Sequence, residues 1–444
     1  MTKRLKYNIR GNRLTLIRSV VALLLLIATG NSQNREYKFS SVLNFRPVAD
    51  SAAFRTGLDL LVENNFVPLK SKKIAIIANN GSCNRLGEHI FDVFKTKRAD
   101  QCLSFVQVRE DLSKSESAGF IYHDSELESS VRYFALTTDN YRIDAKVING
   151  AGLILLDLQD SGIRESLVLG VLIETLRFSA VKRIPVIILD RPNPLQAVAV
   201  EGPLSDVTPF VAGCRMPARH GMTLAELALL INEENWLKTE KGAILSIVPM
   251  TNYTRGMRWQ ETGLKWRYPA GSVIDEETAL LYAGLNFLQY TNISWGAGTS
   301  NTYQFIGAPW LANTDLIRAL KEQNLHGVDL YPVKFTPGRG YESTGKVIYM
   351  NQECSGLSVR INDFSQFEPY KFGSALISAI ARLYPRSFQW SMPEQIDHIF
   401  GNADFRIWIN IGADIRPMYA LWIADVTAYQ KARGRYLLYP AQKK

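Results

Sequence analysis

The chain has 444 residues, a length that favours two or three domains over a single small module. Because 46% of its residues are hydrophobic and 21% are charged, it can bury sizeable cores, which excludes wholesale disorder. Its formal charge is +9, but six of the 51 Lys and Arg residues fall in the first 18 positions, which leaves 45 basic against 42 acidic residues. A body so close to neutral lacks the concentrated basic surface of a nucleic-acid-binding protein.

Residues 1–30 have the layout of a secretory signal peptide. A basic stretch precedes an apolar run over residues 20–28, and the small-x-small triplet Ala28-Thr29-Gly30 suits a signal peptidase. The run is short for a bilayer crossing, which takes about 20 residues, although retention as an uncleaved anchor is the alternative. We expect export to a periplasm or cell surface, with no stable membrane span after cleavage.

The four cysteines lie too far apart in sequence for a CxxC motif or a zinc site, and three disulfide pairings are open to them. Buried free thiols are the favoured interpretation, because a domain of this size needs no disulfide. The cysteines are Cys83, Cys102, Cys214 and Cys354.

From residue 72 onward, short apolar runs rich in β-branched residues alternate with segments of helical period. This alternation predicts a mainly parallel sheet with crossover helices. Residues 163–181 have the length and apolar spacing of one such helix. The predicted strands span residues 73–78, 103–108, 152–156 and 185–189.

Polar residues follow each predicted strand, at the edge where ligands collect in open parallel sheets. Asp and Asn also serve as turn and cap residues, so a purely structural role for Asp157 or Asp190 stays open. The polar segments are Asn79-Asn80-Gly81, Arg109-Glu110-Asp111, Asp157-Leu158-Gln159-Asp160 and Asp190-Arg191-Pro192-Asn193-Pro194.

Residues 219–226 predict the start of a helix, with Thr223 and Glu226 at the spacing of a capping box. Glu226 is therefore expected to be structural, whereas His220, in the loop before the cap, is the best placed of the five histidines for chemistry. Nucleotide binding is only weakly indicated, because the Gly-rich residues 81–87 lack the Lys-Ser/Thr ending of a phosphate loop.

The amino-acid composition changes near residue 253. This change divides the predicted α/β domain, residues 50–252, from a second domain, residues 253–444. The second region is aromatic and Gly-rich, and helices are predicted over residues 372–383 and 417–431. Aromatic faces bind sugars, although such a stripe is more often core.

Ordered motifs between residues 56 and 439 resemble the exo-β-N-acetylmuramidase family (NamZ-type glycoside hydrolases), which release terminal N-acetylmuramic acid from peptidoglycan fragments. The resemblance implies a Rossmann-like N-terminal domain with a mainly parallel sheet, a smaller α+β barrel-like C-terminal domain, and a sugar cleft between them. The motifs are Leu156-Asp157-Leu158-Gln159-Asp160, Leu189-Asp190-Arg191-Pro192-Asn193-Pro194, Glu201-Gly202-Pro203, Arg219-His220-Gly221-Met222-Thr223, Gly307-Ala308-Pro309-Trp310 and Phe335-Thr336-Pro337.

The implied reaction uses two carboxyl groups and water, so no metal or organic cofactor is expected. The catalytic candidates are Glu110, Asp157 and Asp160. The expected contacts to the peptidoglycan-derived sugar or muropeptide come from Gln159, Arg164, Asp190, Arg191, Asn193, Glu201, Arg219, His220, Asn292 and Trp295.

Two departures from the family pattern remove charges from the implied cleft. The strand ending at Val108 would lead into Pro-Glu-His-Gly, whose Glu is the leading catalytic candidate, but a one-residue shift is needed to restore it here as Glu110. Elsewhere neutral residues replace family Glu and Arg residues, and a Gln in such a place accepts hydrogen bonds but cannot transfer a proton. The neutral replacements are Gln289, Trp295, Ala297, Asn301 and Gln304.

Three functions stay open on this sequence. The first is an active glycosidase whose carboxyl pair comes from Asp157, Asp160 or Glu110. The second is a catalytically inactive relative that binds muropeptide or another envelope glycan in the same cleft. The third is a structural or partner-binding envelope protein in which Tyr290 and Trp295 fill the former sugar space.

Overall fold

The fold is described by a computed structural model over residues 41–43, 53–69, 71–109, 131–205, 207, 209–211, 213–269, 273–339 and 347–441. The leader and Glu110 lie outside these residues. The strands are β1 Ile74–Ala78, β2 Cys102–Val108, β3 Arg132–Leu136, β4 Leu153–Asp157, β5 Val186–Leu189, β6 Glu201–Ser205, β7 Met216–Arg219, β8 Leu245–Val248, β9 Phe305–Ala308, β10 Val328–Phe335 and β11 Cys354–Ile361.

The helices are named in the same way, in chain order. They are α1 Gly57–Glu63, α2 Ile90–Arg98, α3 Ala145–Ile148, α4 Leu167–Lys182, α5 Leu224–Glu233, α6 Trp259–Thr262, α7 Glu276–Leu285, α8 Asn313–Lys321, α9 Pro369–Leu383, α10 Pro393–Phe400, α11 Asp404–Asn410 and α12 Arg416–Arg433. None of the helices within the described ranges is long and apolar enough to cross a bilayer.

A six-stranded parallel sheet in the order β3-β2-β1-β4-β5-β8 organises the N-terminal part. Its central strands β1 and β4 are buried at every position, as expected of strands covered by helices on both faces. The four predicted strands and the connecting helix α4 are confirmed. The short strand β8 and the half-exposed edge strand β3 were not predicted, because neither carries a long apolar run.

The order in which the chain adds strands to this sheet reverses between β1 and β4. From β1 the chain adds β2 and then β3 on one side, and it returns to place β4 on the other side of β1. This is the strand order of dinucleotide-binding folds, in which the crevice at the reversal point holds the ligand. Ala78 at the end of β1 pairs with Asp157 at the end of β4, so the loops that follow them are adjacent.

The C-terminal part is smaller and α+β, as expected, with an antiparallel sheet in the order β10-β11-β9. Helices α9 and α12 confirm the two predicted C-terminal helices, and each has a Pro in its first turn, where no backbone N–H is needed. Helices α7 and α9 approach closely at Gly284 and Gly373, where an added Cβ on Gly373 would lie 1.9 Å from the Gly284 carbonyl oxygen. The domain boundary near residue 253 stays a prediction.

Residues 438–441 return to the N-terminal sheet and bind beside α5. The Leu438 N–H donates to Glu226 Oε1 at 2.7 Å, and the Tyr439 hydroxyl donates to Asp190 Oδ2 at 2.5 Å. The Pro440 carbonyl accepts from the Arg255 N–H at 2.9 Å. This segment therefore ties residues near the end of the chain to the strand-end loop of β5. Elsewhere all four cysteines are buried and free, in agreement with the favoured interpretation.

Candidate functional site

The candidate site lies at the carboxyl ends of β1 and β4, where the order of strand addition reverses. The loops after these strands are joined by Asn79, whose Nδ2 donates to the Gln159 carbonyl at 2.8 Å and whose Oδ1 accepts from the Gln159 N–H at 3.1 Å. An added Cβ on Gly81 would lie 2.4 Å from Gln159 Cβ, so only glycine allows this approach. The structure thus brings together the polar segments that the sequence places after two strands.

Asp157 ends β4 inside the protein, in an ion pair with Arg191 from the loop after β5. Arg191 Nη2 contacts Asp157 Oδ2 at 2.8 Å, and its Nε donates to Oδ1. Burial alone would lower the pKa of Arg191, but the Asp157 charge raises it above the usual value. Because the Asp157 carboxylate is fully buried and neutralised, catalysis by this residue would require its release from Arg191.

Asp160, in the loop after β4, contacts His220, which directly follows β7. Asp160 Oδ2 lies 3.0 Å from His220 Nε2 and accepts the Gly162 N–H at 3.0 Å. The Met222 N–H donates to His220 Nδ1 at 3.3 Å, while His220 Nε2 and Asp160 Oδ1 have no hydrogen-bond partner among the described residues. The imidazole and the carboxylate are therefore held next to each other, with one nitrogen and one oxygen that a ligand could still bind.

Three consecutive residues present buried polar atoms that have no hydrogen-bond partner within the described ranges. They are Gln159 Oε1, Asp160 Oδ1 and Ser161 Oγ. The Gln159 amide is fixed by donation from Nε2 to the Asp160 and Pro192 carbonyls, at 3.0 and 2.9 Å. Leaving a buried polar atom unpaired costs about 1–3 kcal/mol, so this run is suited to a ligand rich in hydroxyl and amide groups.

Residues 266–268 pack against these loops and were not predicted as part of the site. The Tyr268 hydroxyl donates to the Ser161 carbonyl at 2.9 Å, and the Trp266 and Tyr268 rings stack with centroids 5.7 Å apart. Trp266 is partly exposed and also contacts Trp259, with ring centroids 5.2 Å apart. The alternation of aromatic and charged residues in Trp266-Arg267-Tyr268 could have indicated a binding surface. The same pattern is equally typical of residues packed in a core.

Asp190 and Asn193, two expected sugar contacts, organise the start of α5. Asp190 accepts from Thr223 Oγ1 at 2.8 Å and from the Ala225 N–H at 3.2 Å, in addition to Tyr439. Burial raises the pKa of Asp190 from 3.8 to about 7. Asn193 Nδ2 donates to the Met222 carbonyl at 2.8 Å. The predicted capping box of Thr223 and Glu226 is confirmed.

Arg164, Glu201 and Arg219 lie on or against the antiparallel ribbon formed by β6 and β7. Fully buried Arg164 donates to the Pro203 and Met216 carbonyls and also to Ile399, which binds the ribbon to the end of α10. Glu201 accepts the first free N–H groups of α9, and Arg219 is its cross-strand partner. Arg164 and Glu201 therefore join the N-terminal and C-terminal parts of the fold, whereas Arg219 donates from Nη2 to the Leu195 carbonyl.

Asn292 and Trp295 lie in the C-terminal part. Asn292 Nδ2 donates to the Ser387 carbonyl at 2.7 Å, and its Oδ1 accepts the Gln389 N–H at 2.9 Å. Trp295 is 2% exposed and stacks on Tyr303 with centroids 4.9 Å apart. Trp295 thus occupies core. Roles in sugar binding for both residues stay predictions.

Fold and site together define a doubly wound α/β protein with a polar cluster at its topological reversal point and a smaller α+β part. Models of the N-terminal and C-terminal regions of exo-β-N-acetylmuramidase NamZ match residues 74–276 and 280–439. The chain belongs to this NamZ-type family. Among the described residues, no group of three or more His, Cys, Asp or Glu side chains is arranged to hold a metal ion.

Individual relatives agree with this assignment. The chain is 27% identical over 391 residues to the peptidoglycan β-N-acetylmuramidase NamZ of Bacillus subtilis strain 168, which covers 87% of this chain and 91% of the relative. Two crystal structures of DUF1343-family proteins from Bacteroides fragilis share the fold, with TM-scores of 0.77 and 0.66 at 22% and 23% identity. Each covers 88% of this chain, with 100% and 99% of the respective relatives aligned.

Proposed function

We propose that this protein is an exo-acting glycosidase that removes terminal N-acetylmuramic acid from peptidoglycan fragments. The observation that carries the proposal is the polar run Gln159–Ser161 at the reversal point of a NamZ-type fold, with Asp160 held against His220. The arrangement supplies a fixed carboxylate and acceptors without partners among the described residues, next to the partly exposed Trp266 and Tyr268 pair. Sugars offer the hydroxyl and amide donors that such acceptors require.

We assign the two carboxyl roles of the reaction to Asp160 and Glu110. Asp160 lies beside His220 and keeps one oxygen without a partner among the described residues, so we assign it the role of the base that activates water or of the nucleophile. Glu110 follows β2, the neighbour of β1 in the sheet, and supplies the proton to the leaving oxygen. Asp157 and Arg191 support the loop geometry through their ion pair rather than by contact with the scissile bond.

The proposed site of action is the periplasm or the cell surface. This part of the proposal is supported by the basic stretch, apolar run and small-x-small triplet within residues 1–30. Peptidoglycan fragments are found in the same compartment, so export and substrate are consistent. Fractionation of cells that express the full chain, with a reporter fused after residue 441, would place the protein; a cytoplasmic reporter would contradict export.

Asp160→Asn tests the proposed chemistry. We expect the variant to release a chromogenic leaving group from a terminal β-N-acetylmuramide at a rate reduced about 10²–10⁴-fold, because Asn cannot act as a base. Asp315→Asn is the matched control, since Asp315 is an exposed carboxylate on α8 that pairs with the exposed Arg318. Wild-type turnover by Asp160→Asn would contradict the assigned role, and no turnover by the unmodified protein would contradict the glycosidase.

The aromatic pair of Trp295 and Tyr303 favours a second candidate, a catalytically inactive relative that binds the same sugars. The pair fills core where the family pattern places a carboxylate and a Phe, so one source of cleft charge has been replaced by packing. This candidate predicts that N-acetylmuramic acid raises the melting temperature while no product forms. Product formation that Asp160→Asn abolishes would exclude it.

A further inference from the structure

A cavity of about 430 Å³ lies beside the β6–β7 ribbon and is distinct from the strand-end site. Arg219 lines this cavity, whereas the next residue, His220, contacts Asp160. Adjacent side chains of an extended segment point to opposite faces, so the ribbon separates the two sites. The volume falls in the range of small-molecule pockets, about 300–1,000 Å³.

Two opposite charges line one wall of this cavity without forming an ion pair with each other. Glu201 and Arg219 are cross-strand partners, which places their Cα atoms about 4.5–5.5 Å apart. The hydrogen bonds to the Glu201 carboxylate within the described residues go to Oε1, from the Tyr370 and Lys371 N–H groups at 2.8 and 3.1 Å. Arg219 is 3% exposed; its Nη2 donates to the Leu195 carbonyl, but its Nε has no acceptor in the described part of the chain.

Both charges are incompletely compensated by the protein. Burial raises the pKa of Glu201 to about 7, and burial lowers the pKa of Arg219 below its usual value. A ligand that brought a cation to Glu201 and an anion to Arg219 would offset both desolvation costs. The other walls combine the apolar side chains of Val198, Val200, Phe364 and Phe367 with the polar side chains of Gln196, Ser365, Glu368 and Gln430.

We propose that this cavity binds a small α-amino acid with an apolar side chain. The carboxylate of the ligand pairs with Arg219, its ammonium group pairs with Glu201, and its side chain packs on the valine and phenylalanine walls. An α-amino acid carries both charges on one carbon, which matches two adjacent cross-strand residues. The termini of a longer peptide are too far apart, and a sugar acid lacks the cation.

Calorimetric titration of the full chain tests the proposal without any turnover assay, so its outcome is independent of the glycosidase. The probes are alanine and valine in both enantiomeric forms and phenylalanine, with acetate and ethylamine as half-ligands. We expect saturable binding of at least one amino acid and none of either half-ligand. No saturable binding of any amino acid at about ten millimolar, or binding of acetate as tight as that of the best amino acid, would overturn the proposal.

Glu201→Gln removes the charge but keeps an acceptor for the N–H groups of α9, so the local fold is preserved. We expect a loss of affinity of about tenfold or more, because a charged partner is lost. Glu368→Gln is the matched control, since Glu368 lies at the cavity rim and pairs with Lys371 at 3.0 Å. Equal affinities in the two variants would overturn the assignment.

Val198→Trp provides a test that does not depend on the buried charges. Val198 lines the cavity and is 38% exposed, so a larger side chain can be accommodated without disturbing the core. We expect the indole to occupy the ligand space and to abolish amino-acid binding. Binding that survives this substitution would place the ligand elsewhere and overturn the proposal.

Discussion

Asp157 and Arg191 hold two full charges inside the protein, with side chains 0% and 2% exposed. Such a pair adds little net stability relative to apolar residues, but it cannot be broken from one side without leaving a charge buried and unpaired. Its geometric effect is clear, because it joins the loops after β4 and β5 directly behind the Gln159–Ser161 run. The pair therefore fixes the position of the proposed catalytic loop.

Asp157→Asn should lower the free energy of unfolding by about 3–5 kcal/mol, since Arg191 would keep its charge in a buried site. Adding Arg191→Met to the same chain should recover part of the loss. Asp315→Asn, which breaks an exposed pair with Arg318, should cost less than about 1 kcal/mol. Urea denaturation measures all three, and a loss below 1 kcal/mol for Asp157→Asn would contradict the structural role.

Residue types at strand ends could be predicted from the sequence, but their partners could not. The positions of Asp157, Asp160 and Asp190 follow from short apolar runs, whose period and length are local properties. Arg164 instead binds carbonyls 39, 52 and 235 residues away, and Asp190 binds a hydroxyl 249 residues away. Only the folded chain shows that one carboxylate faces a histidine while the other two are internally satisfied.

Helices α7 and α9 pack so closely that their backbones touch. Gly373 lies against the Gly284 carbonyl, and Gly284 in turn lies against Pro369, where an added Cβ would be 2.0 Å from the carbonyl oxygen. Both glycines sit inside helices, where glycine is otherwise unfavourable by about 1 kcal/mol relative to alanine. Close packing of the C-terminal core thus depends on two residues that local propensity would exclude.

Gly373→Ala should destabilise the protein by about 1–3 kcal/mol, because the new methyl group would force α7 and α9 apart. Gly434→Ala is the matched control: Gly434 has a φ of −50° and no atom within 4 Å of an added Cβ, so the change should be neutral or stabilising by up to about 1 kcal/mol. Thermal and urea unfolding compare the two. Equal stability would show that the helices separate without strain.

At the level of the whole molecule, the loop after β5 and residues 438–441 are joined through a carboxyl group that resists ionisation. The pKa of Asp190 lies near 7 in the folded protein and near 3.8 when exposed. Its contribution to stability is therefore fully present below about pH 4 and is lost as the pH rises through about 7. Burial also raises the pKa of Glu201 to about 7, so Glu201 likewise stabilises the folded protein less as the pH rises.

Asp190→Asn should remove the part of this pH dependence that belongs to Asp190. The stability of the wild type relative to the variant should fall between pH 4 and pH 8 by at most about 4 kcal/mol, the equivalent of a three-unit pKa shift. Urea denaturation at several pH values gives this difference, and the effect of Glu201 cancels because both proteins retain it. Parallel stability curves would show that the carboxyl group is ionised throughout.

The attachment of Tyr439 to Asp190 has a consequence for biosynthesis. At roughly 5–20 residues per second, the 249 residues that separate the two side chains take about 12–50 s to translate. During that interval the parallel sheet can form on the ribosome, but the start of α5 and the loop after β5 lack the amide and hydroxyl donors that Leu438 and Tyr439 supply. The N-terminal half therefore reaches its full stability only after residues 438–441 have been added to it.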